Sequence, residues 1–205
     1  MSSNPPSRSS TTISDHSSSP TQGGASGIGA AYVRALANAG AYVVIADLNE
    51  DAAKKIQQEF PETTAAIHSD VTSWKDQVAT FKKALELSPS SEVDIVIANA
   101  GIAVADSMTN DISQEEPEEP KLPILDVNIN GVFLTTKLAM WYFEKQNSGS
   151  QKKDRLLVLQ SSLAGYLDLI SPQYSASKFA VRGLVRALRQ MSPKHGVRVA
   201  LIAPW

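Results

Sequence analysis

Five short apolar runs, each divided from the next by a stretch of helical composition, constrain this chain more than any other feature. Tyr42–Ala46 is a continuous apolar run stopped by Asp47, the pattern of a strand buried on both faces. Thr63–His68, Val93–Ala98, Arg155–Leu159 and Val197–Ile202 read as four more strands. Between them, Ile28–Ala39 is Ala-rich and stops at Gly40, a helix with a glycine just past its end. Asn49–Phe60, Ser73–Leu87, Leu122–Lys145 and Tyr174–Met191 complete the helical set, and the prolines at 117, 120 and 123 precede the fourth of these or sit in its first turn. Strands spaced by helices pair in parallel through right-handed crossovers, so the expected fold is α/β: a doubly wound parallel sheet with helices on both faces.

The alternation begins only at Gly23. Of the first 22 residues nine are Ser, three Thr and three Pro, with Ile13 the only large apolar side chain after Met1, too little to offset the entropy of ordering them. Residues 1–22 therefore read as a disordered tail and 23–205 as one domain. A mitochondrial transit peptide is disfavoured there, because Arg8 is the only Arg and no amphipathic period is visible. Gln114–Pro120 (QEEPEEP) reads as a solvated, charged loop. Nineteen basic against 21 acidic side chains leave a net charge of −2, so no global field draws the chain to nucleic acid or anionic lipid. No apolar run approaches the roughly 20 residues that span a bilayer. Without cysteine there is no disulfide framework or thiolate chemistry, and His16, His68 and His195 are scattered, so no metal site is expected; the expected compartment is the cytoplasm.

Three features bear chemistry. Gly23-Gly24-Ala25-Ser26-Gly27-Ile28-Gly29 stands directly before the first helix, where glycines allow a backbone to approach a pyrophosphate and the helix N-terminus offers free N–H groups. A purely structural turn would use the same glycines. Asp47 follows Gly29 by eighteen residues at the end of an apolar strand, where a carboxylate accepts hydrogen bonds from an adenosine ribose and repels a 2′-phosphate. With no basic residue at Ser26 or Leu48, NAD is expected over NADP; capping of the helix near Asn49 is a compatible second role. Tyr174 and Lys178, four apart, share one helix face, and an ammonium near a phenol favours the phenolate needed for acid/base work.

Tyr174-Ser175-Ala176-Ser177-Lys178, preceded by Ser161-Ser162 at a strand end, by Asn99-Ala100-Gly101 after another strand and by the Gly-rich turn, resembles the short-chain dehydrogenase/reductase family. The resemblance covers about residues 23 to 203. It implies a Rossmann-type fold and hydride transfer between a nicotinamide and an alcohol or carbonyl carbon, coupled to proton transfer through Tyr174. Lys178 would lower the Tyr pKa and bind the nicotinamide ribose. One serine would steady the substrate oxygen: spacing to the Tyr selects Ser161, the following Ala-Gly selects Ser162, and Ser162 is preferred. Asn128, in Val127-Asn128-Ile129-Asn130-Gly131, resembles the helix asparagine of the proton relay. Gly23, Ser26, Gly27, Ile28 and Gly29 would hold the pyrophosphate side of the cofactor, Asp70 and Val71 would lie beside the adenine, and Asn99, Ala100 and Gly101 would line the cofactor near the central sheet. The implied partners are a small-molecule substrate and a second copy of the chain. Arg182, Arg186 and Arg189, spaced four and three on the Tyr174 helix, read as a solvated face or a subunit contact rather than an anion site.

Two departures from the family stand out. Its apolar strand before the Gly-rich turn is replaced by Ser17-Ser18-Ser19-Pro20-Thr21-Gln22, and the sequence stops at Ala203-Pro204-Trp205, before the family's substrate-covering segment and seventh strand. The expectation is a chain truncated at both ends, with an atypical first strand and no last one, as a truncated or mis-spliced product would have. A non-catalytic dinucleotide-binding or interaction protein, or an unstable remnant, are the rival readings.

Overall fold

The apolar runs pair as strands, and the polar segment before them joins the same sheet. The computed structural model describes residues 17–105, 113, 115–149, 152–167 and 171–205. Its strands are β1 (Ser18–Gln22), β2 (Tyr42–Asp47), β3 (Thr64–His68), β4 (Ile95–Ala98), β5 (Arg155–Gln160) and β6 (Val197–Ile202), all parallel, in the order β3-β2-β1-β4-β5-β6. The order reverses between β1 and β4, the switch point at which open α/β sheets bind ligands.

The helices are α1 (Gly27–Asn38), α2 (Glu50–Glu59), α3 (Trp74–Leu87), α4 (Pro123–Leu125), α5 (Val132–Gln146) and α6 (Pro172–Met191). Their starts follow side-chain capping chemistry: Asn49, Ser73 and Ser171 each accept a backbone N–H from three residues on, and Pro172 opens α6 where its missing N–H is harmless. The expected helix over 122–145 is interrupted by a wider π turn at Asp126–Gly131, between α4 and α5. One face of the sheet packs Phe81, Leu138, Phe143, Val181 and Val185 of α3, α5 and α6 against Val96, Leu157 and Leu159. The other packs Val33 and Leu36 of α1 and Ile56 of α2 against Val43, Ile45 and Ile97.

β1 corrects the expectation of a tail through Gln22: Ser18–Gln22 are fully enclosed at the centre of the sheet. Residues 1–16 of that tail, and Gln114 of the acidic loop, lie outside the described residues, while Glu115–Pro120 are exposed. Pro20 is tolerated because of its position in the alternation. The Ser17 carbonyl accepts from Tyr42 on β2, whereas the Ser18 carbonyl accepts from Asp94 just before β4, so Pro20, two residues on, faces the β4 side. On that side only Thr21 and Gln22 have strand partners, Ile97 and Ala98, whereas all five residues pair with β2. The polar side chains are less well accommodated. Ser19 Oγ, Thr21 Oγ1 and both amide atoms of Gln22 are buried without a hydrogen-bond partner, at about 1–3 kcal/mol for each such group.

The base of β1 is fastened by charge. Asp94 Oδ2 accepts the Ser18 N–H at 3.0 Å, and Asp94 Oδ1 accepts from Arg155, whose side chain is fully buried and also donates to Glu92 at 2.8 Å. The result is a polar bridge from β1 across β4 to β5.

Candidate active site

A cleft of about 520 Å³ opens above the C-terminal ends of the strands, centred on the β1/β4 switch point. Gly23, Ser26, Gly27, Ile28, Asp47, Asp70, Val71, Asn99, Ala100, Gly101, Ser162, Tyr174 and Lys178 all border it; Gly29 and Asn128 do not line it but pack against Gly23 and Gly101, which do. Residues from six separate stretches of chain therefore meet in one place.

The Gly-rich turn folds back on itself after β1. Gly23 has φ +65, and a Cβ there would come within 2.7 Å of the Ala100 backbone; a Cβ at Gly29 would overlap the Gly23 carbonyl oxygen. Asn99 Nδ2 donates to the carbonyls of Gln22 (3.3 Å) and Gly23 (3.0 Å), bracing the turn against the end of β4. Ser26 is the N-cap of α1 but makes no side-chain cap bond, so the first turn of that helix presents its N–H groups to the cleft side. Asp47 Oδ2 accepts the Ala25 N–H at 2.9 Å and Oδ1 accepts the Asn49 N–H at 2.9 Å. The cap of α2 is Asn49 itself, so Asp47 orients the capping residue rather than acting as the cap. Two of the roughly four acceptor positions of its carboxylate are used, which leaves capacity for ligand hydroxyls.

At the far end of the cleft, Asp70 Oδ1 accepts from Thr72, and Gln77 Nε2 donates to the carbonyls of Val71 (2.5 Å) and Gly131 (3.0 Å). Gln77 is buried and links the Asp70-Val71 loop to the π turn; a lone polar residue in a helical pattern gave no hint of this in the sequence.

The Tyr174–Lys178 pair sits on the first turns of α6. Lys178 Nζ lies 5.5 Å from the Tyr174 ring centroid and donates to the Gln160 carbonyl at 3.2 Å. Burial pushes its ammonium down to about 8. Both serines line the cleft: Ser161 Oγ donates to the Lys178 carbonyl at 3.0 Å, whereas Ser162 Oγ accepts the Ala164 N–H at 3.2 Å at the start of a short 3₁₀ turn, Leu163–Gly165. Asn128, fully buried in the π turn, accepts from Ile102 N–H (2.8 Å) and donates to the Ile102 carbonyl (2.9 Å) and to Ser177 Oγ (3.1 Å). Ser177 in turn donates to the Tyr174 carbonyl at 2.7 Å. A Cβ on Gly101 would stand 3.2 Å from both Asn128 Oδ1 and Lys178 Nζ, so that glycine leaves room for the two polar groups to converge. Gln160 and Ser177 were not singled out from the sequence: one acts through its carbonyl, the other lies unremarked inside the Tyr-x3-Lys motif.

Outside the cleft, the arginine stripe on α6 is largely spent on the protein. Arg182 stacks on Tyr166 at 4.2 Å and donates to the Gly165 carbonyl, and Arg189 donates to the Val199 carbonyl.

The sheet order, the glycine turn at a helix start and the cleft at the switch point define a dinucleotide-binding type of α/β protein. Residues 21–205 match the short chain dehydrogenase family, to which this chain belongs. It is 39% identical over 199 residues to a 5'-hydroxyaverantin dehydrogenase of Dothistroma septosporum, covering 89% of this chain and 64% of that protein. It is 33% identical to an NADP-dependent dehydrogenase of Cochliobolus lunatus, covering 89% and 68%. Among solved structures it resembles a 3-ketoacyl-(acyl-carrier-protein) reductase from Brucella melitensis complexed with NADH, with TM-score 0.80, 27% identity and coverage of 94% of this chain and 76% of that one. The chain thus spans just under two thirds of the length of the first of these relatives. No helix among the described residues is long and apolar enough to cross a membrane.

Proposed function

We propose that this chain is an oxidoreductase that interconverts an alcohol and a carbonyl with a nicotinamide cofactor. The observation that carries the reading is the convergence of Ser162, Tyr174 and Lys178 on the same cleft as the Gly-rich turn. The cofactor, when bound, supplies the hydride-transfer chemistry. The residues present suit it: Gly27, which borders the cleft, has nothing within 4 Å of where a Cβ would stand, the α1 N-terminus favours the pyrophosphate, and Asp47 keeps free acceptor capacity for a ribose. Among the cleft-lining residues described, Lys178 is the only cation, so nothing beside Asp47 would neutralise a 2′-phosphate; this favours NAD, although the Cochliobolus relative is named for NADP.

Tyr174 gives a proton to, or takes one from, the substrate oxygen. Ser162 holds that oxygen, its hydroxyl being left at the cleft while Ser161 is spent on the α6 backbone. Lys178 holds its ammonium 5.5 Å from the Tyr174 ring, within the same cleft, and Asn128 keeps the Ile102 loop, Ser177 and the Tyr174 turn in register. The substrate is a small molecule, and a hydroxylated compound is the first choice given the relatives' names. The domain runs from β1 to the end of the chain, its compartment is the cytosol, and a second copy of the chain is its expected partner.

The test is a fluorescence titration of the purified chain with NADH and NADPH, followed by a panel of secondary alcohols and ketones. NADH is expected to bind more tightly than NADPH, and Tyr174→Phe to lower turnover by about 10²–10⁴-fold while leaving NADH affinity within a few-fold. A preference for NADPH would overturn the choice of NAD. Saturable binding with no turnover above that of Tyr174→Phe would overturn the enzymatic reading in favour of a dinucleotide-binding protein.

A further inference from the structure

We propose that β1 is a conditional strand: it is only partly populated in its seat between β2 and β4 in the cofactor-free chain, and dinucleotide binding locks it there. The inference rests on the cofactor reading of the cleft.

Three observations carry it. The side chains of β1 contribute little that would hold a central strand. Ser19, Thr21 and Gln22 are 0%, 0% and 1% exposed, and their polar side-chain atoms have no partner, whereas the adjoining β2 buries Val43, Val44 and Ile45. On leaving the sheet these groups regain water, so release relieves a penalty that release of β2 would not. Second, Pro20 stands on the β4 side of the ladder, where strand partners are confined to Thr21 and Gln22, with the Asp94 N–H donating to the Ser18 carbonyl below them. Third, apart from the main-chain ladder to β2, the fastenings are at the two ends. The lower end is the Ser18–Asp94 bond, with Ser18 Oγ also donating to the Ala84 carbonyl. The upper end is the Gly-rich turn, held by Gly23 N–H on the Ala46 carbonyl and by Asn99 on the carbonyls of Gln22 and Gly23.

That upper end is the cofactor's floor. A ligand lying on the turn from Gly23 to Ile28 contacts residues whose placement depends on β1, so it binds the seated form and not the released one. Such a ligand shifts the population toward the seated strand, and its apparent affinity is reduced by the seated fraction. β1 thereby couples completion of the sheet to cofactor supply.

Hydrogen exchange on the full chain, read by mass spectrometry with and without NADH, tests this. Without ligand, the amides of Ser19, Thr21 and Gln22 are expected to exchange at least tenfold faster than those of Val43 and Ile45, which face β3, and of Leu157–Leu159 on β5. NADH at about a hundred times its Kd is expected to slow them by about a hundredfold, with far less effect on β5. The triple variant Ser19→Val, Thr21→Val, Gln22→Val is expected to lose that difference and to bind NADH more tightly. Equal protection of β1, β2 and β5 in the free chain, with NADH binding demonstrated by fluorescence, overturns the proposal. Binding by the valine variant but only weakly by the natural chain supports it. If neither chain binds NADH, the cofactor reading fails and the coupling falls with it, although fast exchange in β1 would still be measured separately.

Discussion

Lys178 shows how one residue's position in the fold creates a chemical property absent from the sequence. Its ammonium is nearly enclosed, with the Gln160 carbonyl as its hydrogen-bond acceptor, and burial moves it from the ordinary 10.5 to about 8. Between those two values the unfolded chain holds the proton and the folded chain does not, so stability rises with pH across the window from about 8 to 10.5. Below pH 8 both states are protonated and the full burden of about 3 kcal/mol is present. Lys178→Met is therefore expected to raise stability at pH 7 and to remove that rise; urea unfolding of both chains at pH 7, 8, 9 and 10 checks it, and parallel curves would contradict it. The Tyr-x3-Lys spacing made this residue legible as a partner of Tyr174. Its acceptor was not legible, because a main-chain carbonyl at the end of another strand leaves no mark on side-chain identity. The bonds of Ser161 and Ser162 were likewise not legible: spacing and local context pointed to different serines, both of which line the cleft, and Ser161 Oγ donates to the Lys178 carbonyl while Ser162 Oγ accepts the Ala164 N–H.

At the scale of elements, β2 through β6 were legible because each carries apolar side chains on both faces of the sheet, whereas β1 was visible only as the atypical first strand that the family resemblance implied. Ser18–Gln22 has the composition of a tail, and its place between β2 and β4 is set by main-chain pairing and by Asp94. The Asp94–Arg155 bridge thus matters more than its distance from the cleft suggests. Arg155 is fully buried, so removing Asp94 leaves Glu92, at 2.8 Å, to balance its charge and takes the acceptor from the Ser18 N–H. Asp94→Ala is expected to cost about 3–5 kcal/mol in urea unfolding, and adding Arg155→Met to restore much of the loss. Additive losses in the double variant would show that the two side chains do not act as a unit. The π turn at Asp126–Gly131 also escaped the sequence reading, since its widened helical register follows no change in hydrophobic period; it is what carries Asn128 to Ile102 and Ser177.

For the whole molecule, the cleft lies where the two halves of the sheet diverge, so a ligand there touches both and stabilises them together. NADH at a hundred times its Kd should add about 2.7 kcal/mol of stability, a rise in Tm of roughly 5–10 °C by differential scanning fluorimetry. No shift at that concentration would contradict binding to the native fold. The helical cover is uneven: on the face of α1, Leu156 and Ala200 are partly exposed and Ile202 is 40% exposed, beyond the reach of α1 and α2 among the described residues. The alternation of apolar runs and helical stretches by itself determined the α/β class, because parallel strands buried on two faces and joined by helices admit few other arrangements. The motif spacings likewise singled out the Gly-rich turn, Asp47, Tyr174 and Lys178, since turn geometry and helical period act over a few residues. Only the tertiary structure decided how a polar, proline-bearing first strand is paired on both sides at the centre of the sheet and what each of the two serines is bonded to. It also decided what holds the lysine, because those outcomes depend on hydrogen bonds between residues far apart in the chain, which local pattern does not encode.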